Sequence, residues 1–331
     1  MSSQSPAQTK AANHWALSHW APIVVAAAVA VLALRRHEVR ALVAGPHIDA
    51  WATIFVALVV QALPFLVLGV LISAAIAVLV PPAVFARLLP RREAFAVPLA
   101  GLAGAVLPGC ECGSVPVAGG LMARGVRPSA ALAFMLSAPA INPIVMVSTA
   151  VAFSGRPEMV VARFVASLAT AAVVGWLWAR FGRVAWIRPM RRPDVSGMPA
   201  WQGLAFAARH DLLNAGGFLV VGAAAAATLN VVVPQSWLGT VAGIPMVSLL
   251  TLAVLAVVLA ICSEADAFVA ASLTGFSSTA QLAFMVVGPT VDLKLVALQS
   301  GSFGRSFALR FAPATFVVAM VASAVVGWWV L

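Results

Sequence analysis

Residues 94–122 read AFAVPLAGLAGAVLPGCECGSVPVAGGLM, and the nine at their centre, Pro108-Gly109-Cys110-Glu111-Cys112-Gly113-Ser114-Val115-Pro116, decide how the chain folds. An apolar helix of about 20 residues crosses a hydrocarbon core of ~30 Å, so the stretch is long enough to enter a bilayer. Its centre nonetheless holds two prolines, two glycines, two thiols and a carboxylic acid. Proline removes a backbone donor and clashes with the preceding turn, so a continuous helix fails here. Backbone can leave helical geometry at membrane depth only where protein or a water-filled cavity satisfies its freed groups. A polar break inside an apolar segment therefore reads as an internal site of a helical membrane protein.

The rest of the chain agrees. Of 331 residues, 63% are apolar and only 9% charged, against roughly 25% charged in a soluble domain; mean hydropathy is +1.03. No soluble fold of this length could hide so much apolar surface, because over half of a folded surface still meets water. Soluble enzymes, disordered chains and secreted disulfide scaffolds are excluded, leaving an all-α polytopic membrane protein. Candidate segments are 17–34, 51–80, 94–122, 128–153, 158–181, 209–233, 243–275, 279–300 and 306–331. No alternating ten-residue pattern recurs, as a β-barrel would require. The first segment follows Lys10, His14 and His19 and ends at Arg35-Arg36-His37-Glu38 without a small-residue cleavage site, which predicts a retained anchor helix. The net charge of +10, carried mostly by arginine in short loops, suits topology and anionic headgroups rather than nucleic acid. Trp20, Trp51, Trp201, Trp237, Trp328 and Trp329 sit near segment ends, as an interfacial belt does.

The chain also repeats itself. Phe65, Val67 and Gly69 recur as Phe218, Val220 and Gly222, and Cys110 as Cys262. Leu132-Ala133-Phe134-Met135 recurs as Leu282-Ala283-Phe284-Met285, Pro139 as Pro289, and Asn142 falls on Asp292. This predicts a polar tail over 1–16, an anchor helix and loop over 17–49, one transmembrane repeat over 50–181, a basic linker over 182–208 and a second repeat over 209–331. If 94–122 and 243–275 are re-entrant, then Arg87, Arg91, Arg92, Arg124, Arg127, the arginines of 180–209, Arg305 and Arg310 share one face. Arg35, Arg36, Arg40, Arg156 and Arg163 then lie on the other, a split of 13 to 5 that obeys the positive-inside rule. Three crossings per repeat is an odd number, so the repeats are expected to be inverted. Paired broken helices at matching places in two halves are the sequence mark of a transporter site.

Four breaks hold the polar chemistry: 108–116, then Ser137-Ala138-Pro139-Ala140-Ile141-Asn142-Pro143, then Cys262-Ser263-Glu264-Ala265-Asp266-Ala267-Phe268, then Gly288-Pro289-Thr290-Val291-Asp292-Leu293-Lys294. They contain all three cysteines, with Glu111, Glu264, Asp266, Asp292 and Lys294. Four ionised acids in lipid would cost about 10 kcal/mol, comparable with a domain's whole stability, so they must be hydrated, paired, protonated or bound. Asp292 and Lys294 suit a pair with each other or across the duplication, Glu111 a bond to freed amides at a half-helix start, and Asn142 a helix cap. Two thiols two residues apart, with a symmetry-related third, make a soft site for Cu(I), Zn(II) or trivalent arsenic; thiol–disulfide chemistry or a sulfur-containing substrate is equally compatible. The spacing is neither a zinc finger nor a Cys-x-x-Cys motif.

These motifs resemble the bacterial permease family typified by YraQ and YcgR, related to the ArsP organoarsenical permeases, over roughly residues 50–331. The resemblance implies an inner-membrane permease, paired in some relatives with a separately encoded second subunit. Where the ArsP branch is expected to carry a Cys-Ser-Cys-like motif, Glu111 stands between the thiols here, and Glu264 with Asp266 adds acid; a more cationic or proton-coupled cargo follows. The expectation is thus a secondary transporter, not an enzyme, with no resident cofactor and a soft metal or metalloid as one class of cargo. Cys110, Glu111, Cys112, Ser114, Asn142, Cys262, Glu264 and Asp266 are assigned to substrate, with Cys110, Cys112 and Cys262 as metal ligands. Glu111, Glu264, Asp266, Asp292 and Lys294 are assigned to proton coupling or ion pairing. No Walker motif occurs, so ATP would need another chain. The partners expected are the lipid bilayer, a small-molecule or ion substrate, the second subunit and further copies of the chain. An intramembrane thiol–disulfide relay and a non-conducting scaffold subunit are the alternatives.

Overall fold

A computed structural model describes residues 46–79, 90, 92–106, 110–188, 199–232 and 245–331. The expected tail and anchor helix over 1–34, and the middle of the basic linker, lie outside the described residues. Residues 51–331 cluster as one compact unit, which carries every site residue described below. The described residues are overwhelmingly helical, with no strand among them: this is an all-α polytopic membrane protein.

The helices, in chain order, are α1 Pro46–Leu79, α2 Glu93–Ala103, α3 Glu111–Ala123, α4 Pro128–Ile141, α5 Pro143–Ala152 and α6 Pro157–Phe181. After a 3-10 turn at Val184–Trp186 come α7 Ala200–Val232, α8 Pro245–Leu259, α9 Asp266–Ser272, α10 Ser278–Thr290, α11 Leu293–Ser302 and α12 Arg305–Val330. Long and short helices follow the same order over 46–181 and over 200–330. Among the described residues six stretches are long and apolar enough to span a bilayer: α1, α4 with α5, α6, α7, α10 with α11, and α12. Segments 94–122 and 243–275 are not among them, because each is divided into two short helices, α2 with α3 and α8 with α9.

One boundary differs from the sequence expectation. The second half was expected to begin at 209, but α7 starts at Ala200. Gly203, Ala207, Asp211, Ala215 and Leu219 form a buried stripe at four-residue spacing, the period of a helix face. That stripe runs straight through the expected boundary, so Arg209 and His210 lie within a helix, not at the end of a linker.

Burial sorts the helices into centre and periphery. In their most apolar windows, α4–α5 and α10–α11 are 78% and 83% buried, against 28% for α1 and α12. The peripheral helices expose Val56, Val60 and Leu63 on α1 and Leu309, Val317 and Val321 on α12, faces that lipid tails match in polarity. α4 and α10 pack against each other, each flanked by a long helix of its own half, α6 and α12 respectively. Two buried clusters mix the halves. One joins Cys110, Cys112, Val115 and Leu132 to Cys262, Leu295, Leu298 and Phe307; the other joins Met159, Ala162 and Ala166 to Ala267, Phe284, Met285 and Ala319. The short helices are therefore wedged between the halves: α3 against α11, and α9 against α5.

Candidate substrate site

Each break is made by an identifiable local device. Cys110 is extended (φ −86°, ψ 177°) and α3 begins at Glu111; Pro116, one turn on, deprives the Cys112 carbonyl of its helical partner. In the second half α8 ends just before Ala260, which takes a left-handed φ of 50°, a geometry that costs a β-carbon-bearing residue about 1–2 kcal/mol. Ala260 is fully buried, so packing holds it there and turns the chain into the Cys262–Ala265 loop that starts α9. Pro139 and Pro289 lie inside the last turns of α4 and α10, and the residues that follow restart the helices. Asn142 accepts a bond from Val145 N at 3.0 Å and donates to Ala138 O at 3.1 Å. Asp292 accepts from Leu295 N at 2.6 Å. Both cap the second half-helix of a broken span, at the positions that the internal repeat aligned.

The breaks come together as two buried ion pairs and a thiol cluster. Lys294 Nζ, on the first turn of α11, donates to Glu111 Oε1 on the first turn of α3 at 3.0 Å and lies 3.8 Å from Asp292 Oδ2. All three side chains are at most 2% exposed. Glu111 Oε2 and Asp292 Oδ2 are buried without a hydrogen-bond partner. The sequence expected Lys294 to pair with Asp292 or across the duplication; it does the second closely and the first at longer range.

Asp266, the first residue of α9, is clamped by Arg163 of α6: Nη1 and Nη2 donate to its two oxygens at 2.8 Å each. Arg163 also donates to Thr149 Oγ1 at 2.9 Å and to Ser263 O at 3.3 Å. Sequence reasoning placed Arg163 among the face charges. That assignment is corrected, because the side chain is fully buried and held by an acid 103 positions away. The available signal was its place inside a span: Val160, Val161 and Ala162 precede it and Phe164 and Val165 follow it, no setting for a lone interfacial arginine.

The thiols are free and buried. Cys110 Sγ, a Glu111 carboxylate oxygen and Cys112 Sγ all lie within 4.8 Å of one another. Cys262 adjoins Cys110, and its thiol donates to Glu264 Oε2 at 2.5 Å. A sulfur–metal bond of about 2.3 Å puts two sulfurs at most about 4.6 Å apart across one ion, close to the 4.8 Å within which Cys110 and Cys112 lie. A cavity of ≈ 20 Å³ lined by Phe65, Gly69, Cys110, Ser114 and Phe134 adjoins the cluster at Cys110, room for one water or ion. Ser114 Oγ donates to Glu111 O at 3.0 Å. Glu264 is half-buried with Oε1 unpartnered, whereas Asp266 has both oxygens on Arg163. A larger cavity of ≈ 1240 Å³, lined by Arg127, Arg188 and Arg305 with Trp186 and Phe303, lies away from these acids and thiols.

Glycines set how closely the outer helices approach. A β-carbon on Gly222 of α7 would stand 2.7 Å from Lys294 Cα, and one on Gly113 of α3 would stand 2.8 Å from Phe65 O of α1. Both contacts press a peripheral helix onto the first turn of a helix that bears site residues.

Comparison with known proteins gives a consistent result. Residues 47–328 match a family described as "Predicted permease". The chain is 34% identical to the UPF0718 protein YcgR of Bacillus subtilis over 279 residues, 81% of this chain and 93% of that protein. It is 30% identical over 282 residues to a Streptococcus mutans protein provisionally described as a two-component membrane permease complex subunit, covering 83% of this chain and 94% of that one. No solved structure matches.

Proposed function

The chain belongs to the predicted-permease family, and from that premise we propose that it is a secondary transporter carrying a small thiophilic solute through the buried cluster of Cys110, Glu111 and Cys112. As a member of that family with six span-length helical stretches among its described residues, it is a multi-pass membrane transporter, and its bacterial relatives fit the cytoplasmic membrane. The observation that carries the finer reading is the convergence of two thiols and the Glu111 carboxylate, one of whose oxygens has no hydrogen-bond partner, beside an ion-sized cavity. The elements that bear it are short helices between two halves of like order, as expected of inverted repeats with re-entrant hairpins. The cargo is a soft metal ion, a metalloid or a sulfur compound. Proton coupling falls to Glu264, which is half-buried with one oxygen unpartnered, and to Glu111; Asp266 serves the clamp on Arg163. As the streptococcal relative is described, a separately encoded subunit completes the working assembly.

Elemental analysis tests the thiol site. Purified protein equilibrated with Zn(II), Cu(I) or a trivalent arsenical should retain about one equivalent of at least one of them, and Cys110→Ser/Cys112→Ser/Cys262→Ser should retain none. Equal, negligible retention by both proteins would refute the metal and metalloid cargo. For coupling, Glu264→Gln in proteoliposomes should remove the response of uptake to an imposed pH gradient; an unchanged response would take Glu264 out of the mechanism.

A further inference from the structure

We propose that the cargo is a soft cation, and that the Lys294 ammonium is the resident cation it displaces, swinging from Glu111 to Asp292 as the cargo arrives. The inference rests on the thiol site proposed above and names the charge of what that site takes.

The argument begins with unequal occupancy of two carboxylates. Lys294 Nζ is hydrogen-bonded to only one oxygen of Glu111, at 3.0 Å, and the other oxygen has no partner although the residue is 1% exposed. An unpaired oxygen of a buried carboxylate is costly to maintain and marks a position where a cation can bind. The two thiols within 4.8 Å of that carboxylate set the preference for a soft ion over a hard one. The ammonium lies on the same carboxylate that a second positive charge must approach, and like charges in a weakly screened interior repel strongly. Cation binding beside Glu111 therefore requires Lys294 to leave.

The structure supplies a place for it to go. Asp292 is pinned through the bond from Leu295 N to Oδ1, which holds the unpartnered Oδ2 at 3.8 Å from the same Nζ. A movement of about 1 Å brings that contact to hydrogen-bonding length. Glu111 is then free for the incoming ion and Lys294 remains neutralised. A neutral trivalent arsenical needs only thiols, with no need to move a lysine, so the device distinguishes cation from metalloid.

The test uses full-length protein in detergent, titrated anaerobically with Cu(I) against a competing chelator and separately with phenylarsine oxide. Lys294→Met, Lys294→Met/Asp292→Asn and Glu111→Gln are compared with wild type; the double variant removes one charge of each sign and so stays close to the native balance. Removing the resident cation should tighten Cu(I) binding about tenfold in both lysine variants, and Glu111→Gln should weaken it about tenfold, each equivalent to ~1.4 kcal/mol. Arsenical affinity should stay within about twofold throughout, a shift of ~0.4 kcal/mol. Cu(I) affinity at or below the wild-type value in the double variant overturns the proposal, as does arsenical affinity that moves in step with Cu(I). Wild type that binds the arsenical but not Cu(I) overturns it while leaving the thiol site standing; wild type that binds neither probe overturns both.

Discussion

Arg163 with Asp266 and Lys294 with Glu111 make an instructive pair of contacts. Both are sealed from solvent, and both tie the first turn of a short helix in one half of the chain to a helix of the other. Their geometry differs. The guanidinium engages both oxygens of Asp266 and adds Thr149 and Ser263, and Thr149 in turn bonds Val145 O at 2.7 Å, next to the Asn142 cap. That contact is a strut from the break of one half to the short helix of the other. The ammonium makes one hydrogen bond, leaves an oxygen of each neighbouring acid unpartnered and has a second acid within reach. Arginine's planar fork fixes a geometry where lysine's point charge does not, so the same chain uses one cation to brace and the other to exchange.

Four variants, the first with a rescue, bear on that contrast, in falling order of effect. Arg163→Met strands the Asp266 charge and should cost about 3–5 kcal/mol, read as a lower unfolding temperature in detergent. Adding Asp266→Asn should recover most of it; no recovery would show that Arg163 acts through packing alone. Lys294→Met/Asp292→Asn removes one charge of each sign with a single charged hydrogen bond and should cost less, about 1.5–3 kcal/mol; a loss equal to that of Arg163→Met would erase the distinction between strut and exchangeable cation. Gly222→Ala drives a methyl against the α11 backbone at Lys294, an overpacking cost of about 1–3 kcal/mol, and should lower transport as well as stability because it shifts the helix that carries the lysine. Glu158→Gln breaks a half-exposed pair with Arg156 at 3.2 Å and should stay below ~1 kcal/mol, the baseline for an ion pair that neither braces nor exchanges.

The sequence revealed the breaks more fully than the partners. Cys110, Asn142, Asp266 and Asp292 all lie at helix ends, because proline, glycine and polar residues in an apolar run act locally and the signal is read locally. Asn142 and Asp292 could be paired before any coordinates because the repeat aligned them. Arg163 escaped because its partner is far off in the chain, and only the packing of α9 against α5 brings them together. The start of α7 escaped for the opposite reason: the arginine and histidine at 209 and 210 looked like linker, while the four-residue stripe beneath them was already helical. The thiols were legible as a group, but the closer grouping of Cys110 and Cys112 with Glu111 than with Cys262 depends on how α3 meets the loop before α9.

The short reach of Lys294 has an electrical consequence. A unit charge that crosses the whole membrane at 100 mV exchanges about 2.3 kcal/mol with the field. A displacement of about 1 Å out of a ~30 Å core samples a few per cent of that, under ~0.1 kcal/mol. The lysine step is thus nearly blind to membrane potential. A steep voltage dependence of flux, if measured, would report the net charge of the cargo and its co-transported protons, since the protein's own mobile charge contributes almost nothing to it.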